Sequence, residues 1–83
     1  MGKARLARMD AVVNNPHDVR FVDACAIAEW LGFRRAGGKG AHYNYSRTGE
    51  PVGLNFQNRN GKIPTYQARQ LAQMIQKYGH EVG

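Results

Sequence analysis

The chain predicts a two-layer α+β domain: a three-stranded antiparallel sheet carrying two helices on one face, with an extra helix at the N-terminus. Two observations point there. Apolar residues recur at helical spacing in three stretches, Met1 to Val13, Phe21 to Leu31 and Pro64 to Tyr78. Between the last two stretches the period shortens to two, and glycine- or proline-bearing turns divide the alternating residues into short strands. With 83 residues the chain makes one domain and a small core, so an open surface is expected rather than a deep cavity.

Taken in order, Met1 to Val13 reads as a short basic amphipathic helix, with Leu6, Met9 and Val13 on one face and Lys3, Arg5 and Arg8 among the rest. Two roles are open to it, packing one side of the core or serving as an anion-binding arm. Asn14-Asn15-Pro16 ends it, so residues 1–15 form an appendage to the domain at 16–83, the two making one compact unit. In the next helix Phe21, Ala24, Cys25, Ala28 and Leu31 make an apolar stripe, Asp18 is a candidate cap, and Gly32 follows at the C-terminal end. Cys25 lies on the stripe and reads as a core residue, while Trp30 stands beside it. Phe33 to Ala36 is a short first strand.

From His42 to Arg47 the alternation is strict. Tyr43 and Tyr45 point one way, and His42, Asn44 and Ser46 the other. After the turn Thr48 to Pro51, Val52, Leu54 and Phe56 share the buried face and Gly53, Asn55 and Gln57 the open one. Asn58 to Lys62 is a polar loop. The last helix carries Ala68, Leu71, Ala72, Ile75 and Tyr78 inward, Pro64 suits its first turn, and Gly79 ends it. His80 to Gly83 reads as a frayed tail, and His17 and His80 as exposed.

The chemistry concentrates in Gly37-Gly38-Lys39-Gly40-Ala41-His42, read as a glycine-rich loop opening the second strand. Glycine lets a backbone approach a ligand closely, lysine is a point charge suited to phosphate, and histidine exchanges protons near neutrality. Strand parity places His42 on the polar face, away from the helices. Twelve basic residues against six acidic give a net charge of +6, which favours a polyanionic partner. Arg34, Arg35, Lys39, Arg47, Arg59 and Lys62 lie in or beside the sheet, and Glu50 is the only acid between Arg34 and Lys62. These charges read either as a solvated face or as a phosphate-backbone footprint. Gly38-Lys39-Gly40 lacks the Ser or Thr of a P-loop, and the cysteine and histidines lack zinc spacing, so no metal or cofactor is expected. No apolar run approaches the ~20 residues of a membrane span, and no signal-peptide stretch opens the chain. A single cysteine suits a reducing cytoplasm.

Over about Asn14 to Gly79 the sequence resembles the HicA family of bacterial toxins, small ribonucleases paired with HicB antitoxins. The resemblance rests on Asn14-Asn15-Pro16-His17-Asp18-Val19-Arg20-Phe21, on Leu31-Gly32-Phe33, on Lys39-Gly40-Ala41-His42, and on Tyr66-Gln67-Ala68-Arg69-Gln70-Leu71 with Tyr78-Gly79. Gly40 and His42 match the glycine and first histidine of the family's Gly-Ser-His-His motif. Ala41 replaces the serine and Tyr43 the second histidine. The resemblance implies a fold like a double-stranded-RNA-binding domain, metal-independent cleavage of messenger RNA with His42 essential, and a HicB-like antitoxin as partner. His42 is then the candidate catalytic acid and base. Lys39, Gly40, Arg34, Arg35, Asn44, Arg47, Arg59 and Lys62 are candidate RNA contacts. A non-catalytic RNA- or DNA-binding module and an inert protein-interaction domain are the competing readings, since charge fits all three.

Overall fold

The computed structural model describes residues 2–82. Helix α1 (Lys3–Asn14) and helix α2 (Phe21–Trp30) precede strands β1 (Arg34–Lys39), β2 (His42–Ser46) and β3 (Leu54–Gln57). Helix α3 (Thr65–Tyr78) and a 3-10 turn (Gly79–Glu81) follow. The sheet is antiparallel in the order β1-β2-β3. Helices α2 and α3 pack on its β3 side, and α1 packs on the two helices. The expected α+β layout is therefore observed.

The core lies between helices and sheet. Ile27, Leu54 and Leu71 are fully buried, with Phe33 and Phe56 beside them. Truncating such a Leu or Ile to Ala costs ~2–5 kcal/mol, a large share of a small domain's stability. Cys25 is half-buried rather than a full member of the α2 stripe, whose inner position is taken by Ile27. Helix α1 buries Met9 and Val12, while Leu6 is 46% exposed on the rim of a groove it shares with Ile75 and Gly79. The packing role of α1 is the one seen: Arg8 Nη1 pairs with Asp23 Oδ1 at 2.8 Å and the Arg5 guanidinium lies 5.0 Å from the Trp30 ring centre.

Three expectations need correction at the element ends. Asp18 does not cap α2; its carboxylate pairs with Lys62 Nζ at 2.6 Å, which holds its pKa below the usual carboxylate value. The first helical N–H, that of Phe21, donates instead to the Gly61 carbonyl at 2.8 Å, so the turn after β3 does the capping. Val52 is outside β3 and 45% exposed, because its N–H is held by Glu50 Oε2 at 3.0 Å and strand pairing begins only at Leu54, opposite Tyr45. The C-terminal residues are not frayed: Gly79–Glu81 form the 3-10 turn and Val82 is buried in the core. Gly83 and Met1 fall outside the described residues.

Gly37-Gly38-Lys39 is strand rather than loop. The connection to β2 is only Gly40 and Ala41, with Gly40 at φ +60°, the left-handed conformation that a two-residue hairpin turn takes from glycine. At Gly38, φ is +121° and a Cβ would collide with the His42 carbonyl oxygen and approach Tyr43 Cα to 2.9 Å. Gly40 thus serves the hairpin turn, and Gly38 the close approach of the two strands.

Candidate nucleic-acid interface

The alternation of β2 delivers its residues as the sequence implies. Tyr45 is buried, Tyr43 half-buried, and His42, Asn44 and Ser46 are exposed. Tyr43 meets the Phe21 ring edge-on at 5.1 Å, and Tyr45 packs on Phe56 at 5.6 Å. Burial pushes the Tyr45 hydroxyl and the Cys25 thiol above their usual pKa values. The two tyrosines therefore anchor β2 to the helices, and His42 is held on the opposite face by a strand that cannot slip without exposing both rings.

Register decides which residues join His42, because directly paired residues share a face. His42 pairs with Lys39 on β1 and Gln57 on β3; Asn44 pairs with Gly37 and Asn55; Ser46 pairs with Arg34. Lys39 reaches this face only through an irregularity. Tyr45 pairs with Arg35 and Asn44 with Gly37, so Ala36 is an extra residue, a β-bulge. Unbroken alternation from Arg34 would send Lys39 to the helix side. The bulge restores it to His42.

Lys39, His42, Asn44, Asn55 and Gln57 line an open depression of about 710 Å³, completed by Gly38 and, from the first turn of α3, Tyr66 and Gln67. No acidic side chain lines this depression. Glu50, the acid nearest in sequence, is turned to α3, where it accepts from Lys77 Nζ at 2.6 Å and from the Tyr78 hydroxyl at 2.5 Å. Among the described residues, no group of three or more His, Cys, Asp or Glu converges as a metal site would require.

The eight candidate RNA contacts separate into two sets. Lys39, Asn44 and Arg34 share the face of His42, and Gly40 forms the turn at its end. Arg59 is exposed in the turn that follows the Asn58 N–H bond to the Ala41 carbonyl, so it sits at that same end of the sheet. The other three are tied to protein partners, although Lys62 faces Arg59 across that same turn. Arg35 points to the helix side, its guanidinium carbon 3.5 Å from the Tyr43 ring centre. Lys62 pairs with Asp18. Arg47 lies 3.5 Å from the Tyr78 ring centre and bonds Glu81 at 3.1 Å, its other terminal nitrogen buried. Sequence spacing alone treats every basic residue near the sheet alike; the pairing partners are what sort them.

Asn55 and Gln57, which the sequence reading places on the open face without a role, join the site, and Tyr66 and Gln67 are contributors it leaves off that face altogether. The latter two belong to the first turn of a helix, immediately before the apolar stripe, and nothing local says that this turn reaches the edge of β3. An aromatic residue off the stripe is the one signal present. Comparison with protein-family models, with curated proteins and with solved structures returns no match.

Proposed function

We propose that the chain is a ribonuclease toxin similar to the HicA family, acting on messenger RNA in the cytoplasm and neutralised by a HicB-like antitoxin. The observation that supports this most is the setting of His42: exposed on a rigid strand, flanked across the sheet by Lys39 and Gln57, with no acid lining the depression. Helices gathered on one side of a three-stranded sheet are also what a double-stranded-RNA-binding-domain-like fold requires.

RNA carries its own nucleophile. In the proposed reaction the His42 imidazole takes the proton of a 2′-hydroxyl while that oxygen attacks the adjacent phosphorus. The bond from phosphorus to the 5′-oxygen breaks, and the leaving oxygen takes a proton from the imidazolium or from water. The products are a 2′,3′-cyclic phosphate and a 5′-hydroxyl. Lys39 holds the phosphate by a charge-assisted contact. No step passes through a metal ion. General acid–base help of this kind is worth ~10²–10⁴-fold. Tyr43, standing where the family has a second histidine, is packed against Phe21 on the helix side and takes no part in proton transfer.

A binding module without turnover is the second reading. It is favoured by one observation: no other His, Asp or Glu lines the depression beside His42. Incubation of purified protein with RNA in EDTA separates the two. Cleavage by the parent and none by His42→Ala supports the ribonuclease; RNA bound and left intact by both supports the module.

A further inference from the structure

We propose that the depression beside His42 takes single-stranded rather than duplex RNA, with one unpaired base stacked on the ring of Tyr66. The inference rests on the reading of this face as an RNA site and adds the form of the substrate. Tyr66 is 63% exposed, unusual for so large an aromatic side chain in a domain that buries its other rings wholly or in part. It is also braced. Gln67, 4% exposed, accepts the Gln57 backbone N–H on its Oε1 at 2.8 Å. That bond leaves the Gln67 amide nitrogen to donate to the Tyr66 hydroxyl at 3.2 Å. The chain Gln57, Gln67, Tyr66 ties the ring to the edge strand that also carries His42's neighbour.

A ring fixed in water at the rim of a polar depression has its apolar face unused. Bases of single-stranded RNA stack on such rings, and they are recognised along their hydrogen-bonding edges by side-chain amides. Asn44, Asn55 and Gln57 supply three amides on the same face, and no other protein group among the described residues bonds their side chains. In a duplex the bases are stacked on one another and unavailable to a side chain, so the site favours an unpaired strand. Lys39 then meets the phosphate beside the stacked nucleotide, and His42 faces its ribose.

The test measures binding in the non-cleaving His42→Ala background, so that it does not depend on catalysis. Fluorescence anisotropy with a labelled single-stranded RNA and with the same RNA annealed to its complement gives the preference. The single strand is expected to bind more tightly. Adding Tyr66→Ala should weaken single-strand binding roughly 5–100-fold and leave duplex binding within about twofold, whereas Tyr66→Phe, which keeps the ring but gives up its bond from Gln67, should weaken single-strand binding less than Tyr66→Ala does. Equal affinity for the two RNA forms, or unchanged single-strand affinity in a folded Tyr66→Ala variant, would overturn the proposal. Absence of binding to either RNA would overturn it together with the RNA reading of the face. Loss of cleavage in the parent, with Tyr66-dependent binding intact, would sink the ribonuclease alone.

Discussion

The two ends of the sheet handle polar residues in opposite ways. At the end near the β2–β3 loop, the Glu50 side chain is 2% exposed and accepts from Lys77, Tyr78 and the Val52 N–H, while Arg47 covers Tyr78 and pairs with Glu81. Glu50, Lys77, Arg47 and Glu81 are each paired there, although Arg47 Nη1 is buried without a hydrogen-bond partner. On the open face around His42, the side chains of Lys39, His42, Asn44 and Asn55 have no partner among the described residues, although the strands beneath them are paired with one another. A buried polar group without a partner costs more than a satisfied one contributes, which accounts for the three bonds that meet the buried Glu50 carboxylate. An exposed group left unpaired costs little and remains free to bind, which is the case on the open face. The same residue types thus stabilise at one end and are available at the other.

The largest expected effect tests the open end. His42→Ala should lower RNA cleavage ~10²–10⁴-fold. The fold should change by only ~0.5 kcal/mol, since the side chain is exposed. Gel-based cleavage and thermal melting on the same preparation check both. Melting that collapses along with activity would make His42 a structural residue and erase the contrast.

The clamp should behave in reverse. Hydrogen bonds from Lys77, Tyr78 and the Val52 N–H lower the Glu50 pKa from its ordinary 4.5 to about 2. A lowered folded-state pKa means stability that is fully present above about 4.5 and is lost as pH falls toward about 2. Glu50→Gln should lower Tm by roughly 5–15 °C near neutrality. It should also flatten the acid side of the Tm-against-pH curve, with cleavage per folded molecule unchanged. A variant that melts like the parent at every pH would show that the clamp contributes nothing.

Gly38→Ala joins the two behaviours, because the added Cβ meets the His42 backbone itself. A loss of about 2 kcal/mol is expected from the strained φ and the collision, with a drop in activity beyond the folded fraction. Gly37→Ala, whose Cβ would lie 3.9 Å from the nearest atom, Asn44 Nδ2, should be close to neutral. Equal outcomes for the two would mean that the register of the hairpin does not govern the site.

The smallest effect sorts the cations. Lys39→Ala and Arg34→Ala should each lower the slope of log affinity against log salt by about 0.7, one phosphate contact on a single strand. Arg47→Ala should leave that slope alone and lower Tm. A slope change from Arg47→Ala as large as that from Lys39→Ala would place Arg47 in the interface after all.

Several features were legible in the residues because they are local. The period-two run His42-Tyr43-Asn44-Tyr45-Ser46 commits β2 to one buried face, and both tyrosines are found on it. The stripe of α3 holds Ala68, Leu71 and Ile75 inward as its spacing requires. The Gly37-Gly38-Lys39 stretch misled for the converse reason: glycine has no side chain to show a period, so a paired strand reads as a loop. Val82 and the 3-10 turn misled because a terminal residue is ordered only by what it docks on.

What the sequence determined by itself is therefore the layer order, the strand β2 and the side on which His42 stands, all set by repeats a few residues long. The tertiary structure alone decided the company His42 keeps. The bulge at Ala36 exists only in register with β2, and it moves Lys39 onto the open face. The partners of Arg47 and Glu50 lie 34, 27 and 28 residues further along, in a helix end and turn whose position depends on the whole core. Tyr66 is brought to the depression by a buried glutamine bonded to a strand ten residues earlier. A side chain's direction follows from its neighbours in the chain, whereas its partner depends on distant segments meeting, and no local pattern encodes that meeting.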